Sequence, residues 1–288
     1  MEDYLKSGEI CKKAREYGIS LLKEGAKFLD IAEKIEEKIR ELGGEPAFPV
    51  DVGVNHLAAH DSPGFNDERV LKKCDVVKLD LGVHINGAIT DTAVTVEIET
   101  GNYKKLIESA EEALRKALEI AKPGVEVRKI GEVIKKTIES YGFIPIVNLS
   151  GHRMEKYEVH ASPSIPNFDN GDDTKLKEGE VFAIEPFATN GAGRVIEGKS
   201  SGVYGLINPK NTRDRNARNV LQYIIEKYQT LPFSERWLVK EFGVGVKFPL
   251  LTLEREGIIK QYSILPEKER GQVAQAERTI IVGKGVIN

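Results

Sequence analysis

Four acidic residues in this chain stand in surroundings that ought to repel them. Asp80 interrupts the apolar run Val76-Val77-Lys78-Leu79-Asp80-Leu81-Gly82-Val83, and Asp91 opens Asp91-Thr92-Ala93-Val94-Thr95-Val96. Glu185 closes Val181-Phe182-Ala183-Ile184-Glu185, and Glu277 heads Glu277-Arg278-Thr279-Ile280-Ile281-Val282. Burying ionised carboxylates together is costly unless a cation or hydrogen-bond donors neutralise them. Taken alone, Asp80 and Asp91 are also readable as strand ends facing water. All five histidines fall between His56 and His160. His152 follows a short strand-like segment and Gly151, His160 lies in Tyr157-Glu158-Val159-His160-Ala161, and His60 occupies the matching region of the first half. His56 and His84 read as surface or packing residues. Oxygen-rich ligation suits hard or borderline divalent cations, and one imidazole extends the choice to Mn, Fe, Co or Zn.

The elements that must position these residues come in two copies. Residues 25–46 align without gaps on residues 124–145, with identities at Gly25/Gly124, Ile31/Ile130, Glu33/Glu132, Ile35/Ile134, Ile39/Ile138, Gly43/Gly142 and Pro46/Pro145. Further on, the segment from Leu71 aligns on that from Leu176 and sets Asp80 opposite Glu185. Internal self-similarity of this kind marks repeated structural units. Each half predicts a first helix (3–22 and 103–121), a second amphipathic helix (28–42 and 127–141) ended by Gly43 or Gly142, and then strands. The strands are expected at 76–83 and 90–98, and at 181–188 and 277–283. The pattern is α+β, with helices packed on antiparallel sheet. If the halves are related by a pseudo-two-fold axis, the four acids converge there. Four converging acids are better explained by a bound metal pair than by mutual repulsion.

The halves differ in one respect. Asp80 and Asp91 are separated by a short turn at Asn86-Gly87, whereas a long, mostly helical stretch separates Glu185 from Glu277. The expected organisation is one catalytic domain over 1–288 with a helical insertion at 208–266. Between residues 208 and 270 the chain carries 12 Lys/Arg against 8 Asp/Glu, an excess that a solvated helical face explains.

Composition narrows the function classes. The chain has 288 residues, 40% hydrophobic and 30% charged, which describes a globular protein. No apolar stretch approaches the roughly 20 residues of a membrane span, and the start has no signal-peptide pattern, so a cytoplasmic location is expected. Cys11 and Cys74 are too few for a disulfide framework or a thiolate zinc site. The net charge of −3 argues against a protein that coats nucleic acid, and no specific nucleic-acid partner is expected.

The set Asp80, Asp91, His152, Glu185 and Glu277 resembles the dinuclear ligand set of the pita-bread metallopeptidases. The segments AFPVDVGVNHLAAHDSPG, VVKLDLGVHINGAITDTAV, NLSGHRMEKYEVHASPSIPN, FAIEPFATNGAG and VAQAERTIIV are similar to those of type 2 methionine aminopeptidases, in their archaeal form without a long N-terminal extension. The resemblance runs over nearly the whole chain, insertion included. It implies a pita-bread fold around two divalent metal ions (Co, Mn, Fe or Zn). Asp91 and Glu277 would bridge the metals, Asp80 would chelate one, and His152 with Glu185 would complete the other. A hydroxide held between the metals would be the nucleophile, Glu185 the general base, His160 the partner of the carbonyl oxygen and His60 that of the scissile amide nitrogen. Phe48, Val159 and Tyr262, with His60 and His160, would form the methionine pocket. Nascent polypeptide N-termini with a small second residue would be the substrates of a monomeric enzyme, with a ribosome contact as a further expectation. The segment Ala276-Glu277-Arg278 departs from the family's Phe-Glu-His, and an Arg there is expected to add positive charge beside the last ligand. Two alternatives remain open: an X-Pro aminopeptidase or dipeptidase of the same fold, and a non-catalytic pita-bread protein that binds ribosomes or nucleic acid.

Overall fold

The computed structural model describes residues 1–288, and its layers follow from period-two patterning on the strands and helical patterning outside them. In the first half, strands Val76–Ile85 and Ala88–Glu97 form a hairpin in continuous antiparallel register. Its turn uses Asn86 and Gly87, both at positive φ, as a two-residue turn matched to strand twist requires. Val77, Leu79, Leu81 and Val83 point to one face and pack on helices α1 (Glu2–Leu21) and α2 (Phe28–Glu41), through Ile10, Ile31, Ile35 and Ile39. Alternation therefore sends Lys78, Asp80 and Gly82 to the opposite, helix-free face. The short strand Asp51–Val54 pairs with the same hairpin and sets Asp51 opposite Asp80.

The second half repeats the scheme. Helices α3 (Lys104–Ile120) and α4 (Val127–Ser140) cover the outer face through Val127, Ile130, Ile134 and Ile138, which pack with Phe182, Ile184 and Ile280. Gly43 and Gly142, at φ +87 and +84, follow α2 and α4 where a left-handed residue ends a helix. Strands Ser150–Glu155, Glu158–Pro166, Val181–Ile184 and Arg278–Ile281 form the central antiparallel sheet of this half. The strand expected over 181–188 breaks at Glu185-Pro186. Proline supplies no N–H to a ladder, and after it Phe187–Thr189 pairs instead with Val273–Gln275 in a different sheet. The structure is thus α+β with pseudo-symmetric halves, as the repeat predicts, with helix ends within a residue or two of those expected.

Residues between Ser200 and Ser263 build their own small core. Helices α5 (Arg215–Lys227), α6 (Glu235–Phe242) and α7 (Lys247–Arg255) pack around Val220, Leu221, Leu250 and Leu253. They lie beside a three-stranded sheet of Ser200–Leu206, Phe233–Ser234 and Ile259–Ser263, so the helical stretch is framed by strands that composition did not announce. Asp214 and Ser234 cap α5 and α6 by accepting the Ala217 and Trp237 amides. This unit is tied to the first half by a buried ion pair, Arg236 with Glu36. No helix is long and apolar enough to cross a membrane.

Candidate metal centre and substrate pocket

The two halves meet along the strands that carry the acids. The Glu277 amide donates to the Ala93 carbonyl at 3.1 Å, and the Thr92 hydroxyl donates to the Glu277 carbonyl at 3.1 Å. The Asp91 amide donates to the Thr279 hydroxyl at 2.7 Å. These bonds lock the backbones of Asp91 and Glu277 together. Because both strands turn their apolar faces outward to helices, the carboxylates have only the shared interior to occupy.

That interior is a pocket of about 240 Å³ lined by Asp80, Asp91, His152, Glu185 and Glu277. One ligating atom from each of Asp91, His152 and Glu277 lies within 4.8 Å of the others. His152 Nε2 is 3.7 Å from Asp91 and 3.6 Å from Glu185. The Gln275 side-chain amide donates to Asp80 at 3.0 Å and to Glu185 at 3.3 Å, joining the remaining two acids. Gln275 was not singled out from the sequence. Its signal was its place two residues before Glu277, on the same side of an extended segment.

The electrostatics describe a site short of positive charge. Burial first, and then the neighbouring acids, pushes the carboxyls of Asp91, Glu185 and Glu277 well above the usual carboxylate range, while burial raises Asp80 to about 6. Burial, with His160 alongside, brings His152 down to about 3, so its imidazole is neutral and has a lone pair to offer at pH 7. Asp80 Oδ1, Asp91 Oδ1, Glu277 Oε2 and His152 Nδ1 are buried with no hydrogen-bond partner. Buried polar atoms are normally satisfied, and four orphans in one cluster of acids fit a divalent cation, which would neutralise the carboxylates that nothing else in the chain pairs.

His60, His160, Phe48, Val159 and Tyr262 line the same pocket. His160 stands edge-on to His152 with ring centroids 4.6 Å apart, and burial brings it down to about 4. His60 packs against the Tyr262 ring at 5.4 Å, and its Nδ1 lies 3.2 Å from the Ser263 carbonyl, so the end of the insertion orients it. Its backbone is left-handed, at φ 62, an uncommon conformation that is frequent at functional sites. The Phe48 ring packs against the Gly82 backbone, where a Cβ would collide with it. Leu149, Phe187, Val203, Pro232 and Leu265 complete the apolar wall. Asp51 also faces the pocket and was not singled out from the sequence. Its signal was one more acid in an apolar strand. His84 instead packs on Tyr157, away from this pocket.

Two local expectations read differently in three dimensions. Gly151 gives its close approach to the Ala183-Ile184 backbone of the next strand rather than to a ligand. Arg278 turns away from the carboxylates, because neighbours on a strand point to opposite faces. Its guanidinium donates to the Glu277 and Ala93 carbonyls and the Thr92 hydroxyl, behind the centre and beside Glu111.

A pita-bread fold whose two halves close on an acid-rich pocket of this kind defines a class of metal-dependent hydrolases. A family model described as metallopeptidase family M24 matches residues 2–245, and the chain belongs to that family. It is 47% identical over 286 residues to a methionine aminopeptidase of Pyrococcus horikoshii, covering 99% of this chain and 97% of that one. Among solved structures, a thermophilic Arx1 is similar in fold, with a TM-score of 0.85 at 19% identity, over 99% of this chain and 89% of that one. A prolidase from Pyrococcus furiosus is similar over a smaller part, 65% of this chain and 55% of that one, with a TM-score of 0.56 at 28% identity.

Proposed function

We propose that this chain is a methionyl aminopeptidase that removes the initiator methionine from proteins whose second residue is small. The observation that carries the reading is the cluster of four carboxylates and one neutral imidazole in one pocket, with atoms of Asp80, Asp91, Glu277 and His152 left without a hydrogen-bond partner. The full-length similarity to methionine aminopeptidases supports the substrate. Asp80, Asp91, His152, Glu185 and Glu277 would hold two divalent cations. When bound, such cations polarise a carbonyl and make water nucleophilic near neutral pH.

The chain's own residues do the rest. Glu185 holds and returns a proton beside the scissile bond, and the raised carboxyl values around it suit that role. His160 donates a hydrogen bond to the carbonyl oxygen as negative charge grows there, and His60 orients the scissile amide nitrogen. Phe48, Val159 and Tyr262 exclude water and fit an unbranched thioether side chain. The protein then acts as a cytoplasmic monomer on emerging chains. A ribosome contact through the insertion is supported by exposed Val244, Phe248 and Leu251 beside the basic Lys247 and Arg255. Co-sedimentation with ribosomes at low salt tests it.

The central experiment measures free methionine released from Met-Ala-Ser and Met-Glu-Ser by metal-stripped protein, with Co, Mn, Fe or Zn added back. Metal-dependent cleavage of Met-Ala-Ser alone, lost in Asp91→Ala, is expected. Cleavage of Ala-Pro peptides instead would transfer the reading to an X-Pro aminopeptidase. No cleavage by folded, metal-loaded protein would overturn it in favour of a binding role.

A further inference from the structure

Asp91 and Glu277 are held from behind in matching ways, each by two donors on its backbone carbonyl. The Thr92 hydroxyl, from the first half, donates to the Glu277 carbonyl at 3.1 Å, and the Thr279 hydroxyl, from the second, donates to the Asp91 carbonyl at 2.9 Å. A longer side chain adds the second donor: Arg278 Nη1 reaches the Glu277 carbonyl at 2.5 Å, and Asn288 Nδ2 reaches the Asp91 carbonyl at 2.6 Å. Each of these two side chains also grips the other half of the seam. Arg278 donates to the Ala93 carbonyl at 3.2 Å, and Asn288 Oδ1 accepts the Thr279 amide at 2.9 Å. Arg15 supports the arrangement by donating to the Thr92 hydroxyl oxygen at 2.7 Å. A guanidinium only donates, so the Thr92 hydroxyl keeps its own hydrogen for Glu277. One partner satisfies a buried carbonyl, and these two have both lone pairs engaged. The carboxylate tips show the opposite: Asp91 Oδ1 and Glu277 Oε2 have no hydrogen-bond partner. The chain therefore sets the spacing of these acids through their backbones.

We propose that Arg278 and Asn288 are positioning residues that fix the separation of the Asp91 and Glu277 carboxylates, and so decide whether the site holds two divalent cations together or only one. The inference rests on the aminopeptidase reading above for the roles of those two acids, and adds to it the groups that set their spacing. Arg278 serves here as a brace across the seam of the two halves, and its place behind the strands keeps its guanidinium out of the pocket. Asn288 makes the matching brace on the other acid.

The test compares wild type with Arg278→Met and Asn288→Leu, which keep bulk and remove the donors, and with Arg278→Lys, which keeps a donor. Metal-stripped protein is titrated with Mn by calorimetry, and electron paramagnetic resonance reads whether the bound ions sit close enough to couple. Wild type should bind two Mn ions and give the coupled spectrum. In Arg278→Met and Asn288→Leu the first Mn should bind nearly as before and the second about tenfold to a hundredfold more weakly, the range seen when an outer partner of a metal ligand is lost. The spectrum should change to that of isolated Mn, kcat for Met-Ala-Ser at fixed Mn should fall with KM little moved, and Arg278→Lys should recover most of the loss. Equal weakening of both ions, tracking a lower melting temperature, would show a merely structural role and overturn the proposal. Unchanged Mn binding in both variants would overturn it too, as would wild-type protein that holds a single Mn. Should Arg278→Met fail to fold, Asn288→Leu decides by the same measurements. Wild-type protein that fails to cleave Met-Ala-Ser would overturn the parent reading instead, and the Mn titrations would still judge the two braces.

Discussion

A buried ion pair ties the insertion to the first half beside the pocket, and this makes Glu36→Ala a sharp test of how the site is assembled. Arg236 and Glu36 form two parallel bonds of 2.8 Å with their side chains 0% and 3% exposed. Glu36 also accepts from the Trp237 indole at 2.8 Å and the Val50 amide at 3.3 Å, and Arg236 donates to the Pro63 carbonyl at 3.1 Å. Removing one partner of a buried pair costs about 3–5 kcal/mol, and each donor left buried and unsatisfied adds about 1–3 kcal/mol. With a guanidinium, an indole N–H and a backbone N–H stranded, Glu36→Ala should cost about 5 kcal/mol, a large share of a typical folding free energy of about 5–15 kcal/mol. Arg236→Met should cost less, about 3 kcal/mol, because Glu36 keeps the indole and the amide. The double variant Glu36→Leu with Arg236→Met should recover the part of the loss that comes from the stranded guanidinium but stay about 2 kcal/mol or more below wild type, since the Trp237 indole and the Val50 amide still lack their acceptor. Urea unfolding of metal-free protein with a double-mutant cycle reads all three. Because Phe48, Pro49 and Asp51 flank Val50 while Val203, Pro232 and Tyr262 come from the insertion's side, KM should rise with the loss of stability. A cost below about 1.5 kcal/mol for Glu36→Ala, or a coupling near zero, would refute the reasoning.

The acids themselves give a pH signature. Carboxyls raised in the folded state hold more protons there than in the unfolded chain, so stability falls as pH rises toward their folded values. The carboxyls' contribution to the stability of metal-free protein should therefore fall as pH rises through the folded value of Asp80 near 6, and melting temperatures taken across that range should show the fall abolished by saturating Mn or Co; an unchanged profile on adding metal would contradict it. Below about pH 6.5 the buried neutral His152 and His160 pull the other way, because the unfolded imidazoles gain protons first. Gly82→Ala should push the Phe48 ring into the pocket, costing about 1–3 kcal/mol by overpacking. It should also raise KM for Met-Ala-Ser, and unchanged steady-state kinetics would show that Phe48 does not shape the pocket.

Much of this was legible because local patterning carries it. The repeat of residues 25–46 in 124–145 announced two like halves, and the alternation around Asp80 already required that acid to face away from whatever buried Leu79 and Leu81. The outlier glycines at 43 and 142 marked helix ends that the structure places within a residue or two. What the pattern could not show was partnership across long separations. Gln275 joining Asp80 to Glu185, and Arg236 reaching Glu36, are contacts between residues whose types say nothing of each other until the chain is folded. The break at Pro186 belongs to the same group. Proline excludes a continuous ladder, but which sheet takes Phe187–Thr189 is settled by where Val273–Gln275 lies.

The sequence by itself determined the two-fold plan, the outward apolar faces and the residue types able to bind a divalent cation, because side-chain period and chemistry are local properties. Only the tertiary structure decided that Asp51 faces the same pocket as those acids, that Arg278 stands behind them rather than among them, and that Tyr262 closes the wall beside His60. Those outcomes depend on strand register and on how the insertion docks, and both are set by contacts between segments far apart in the chain.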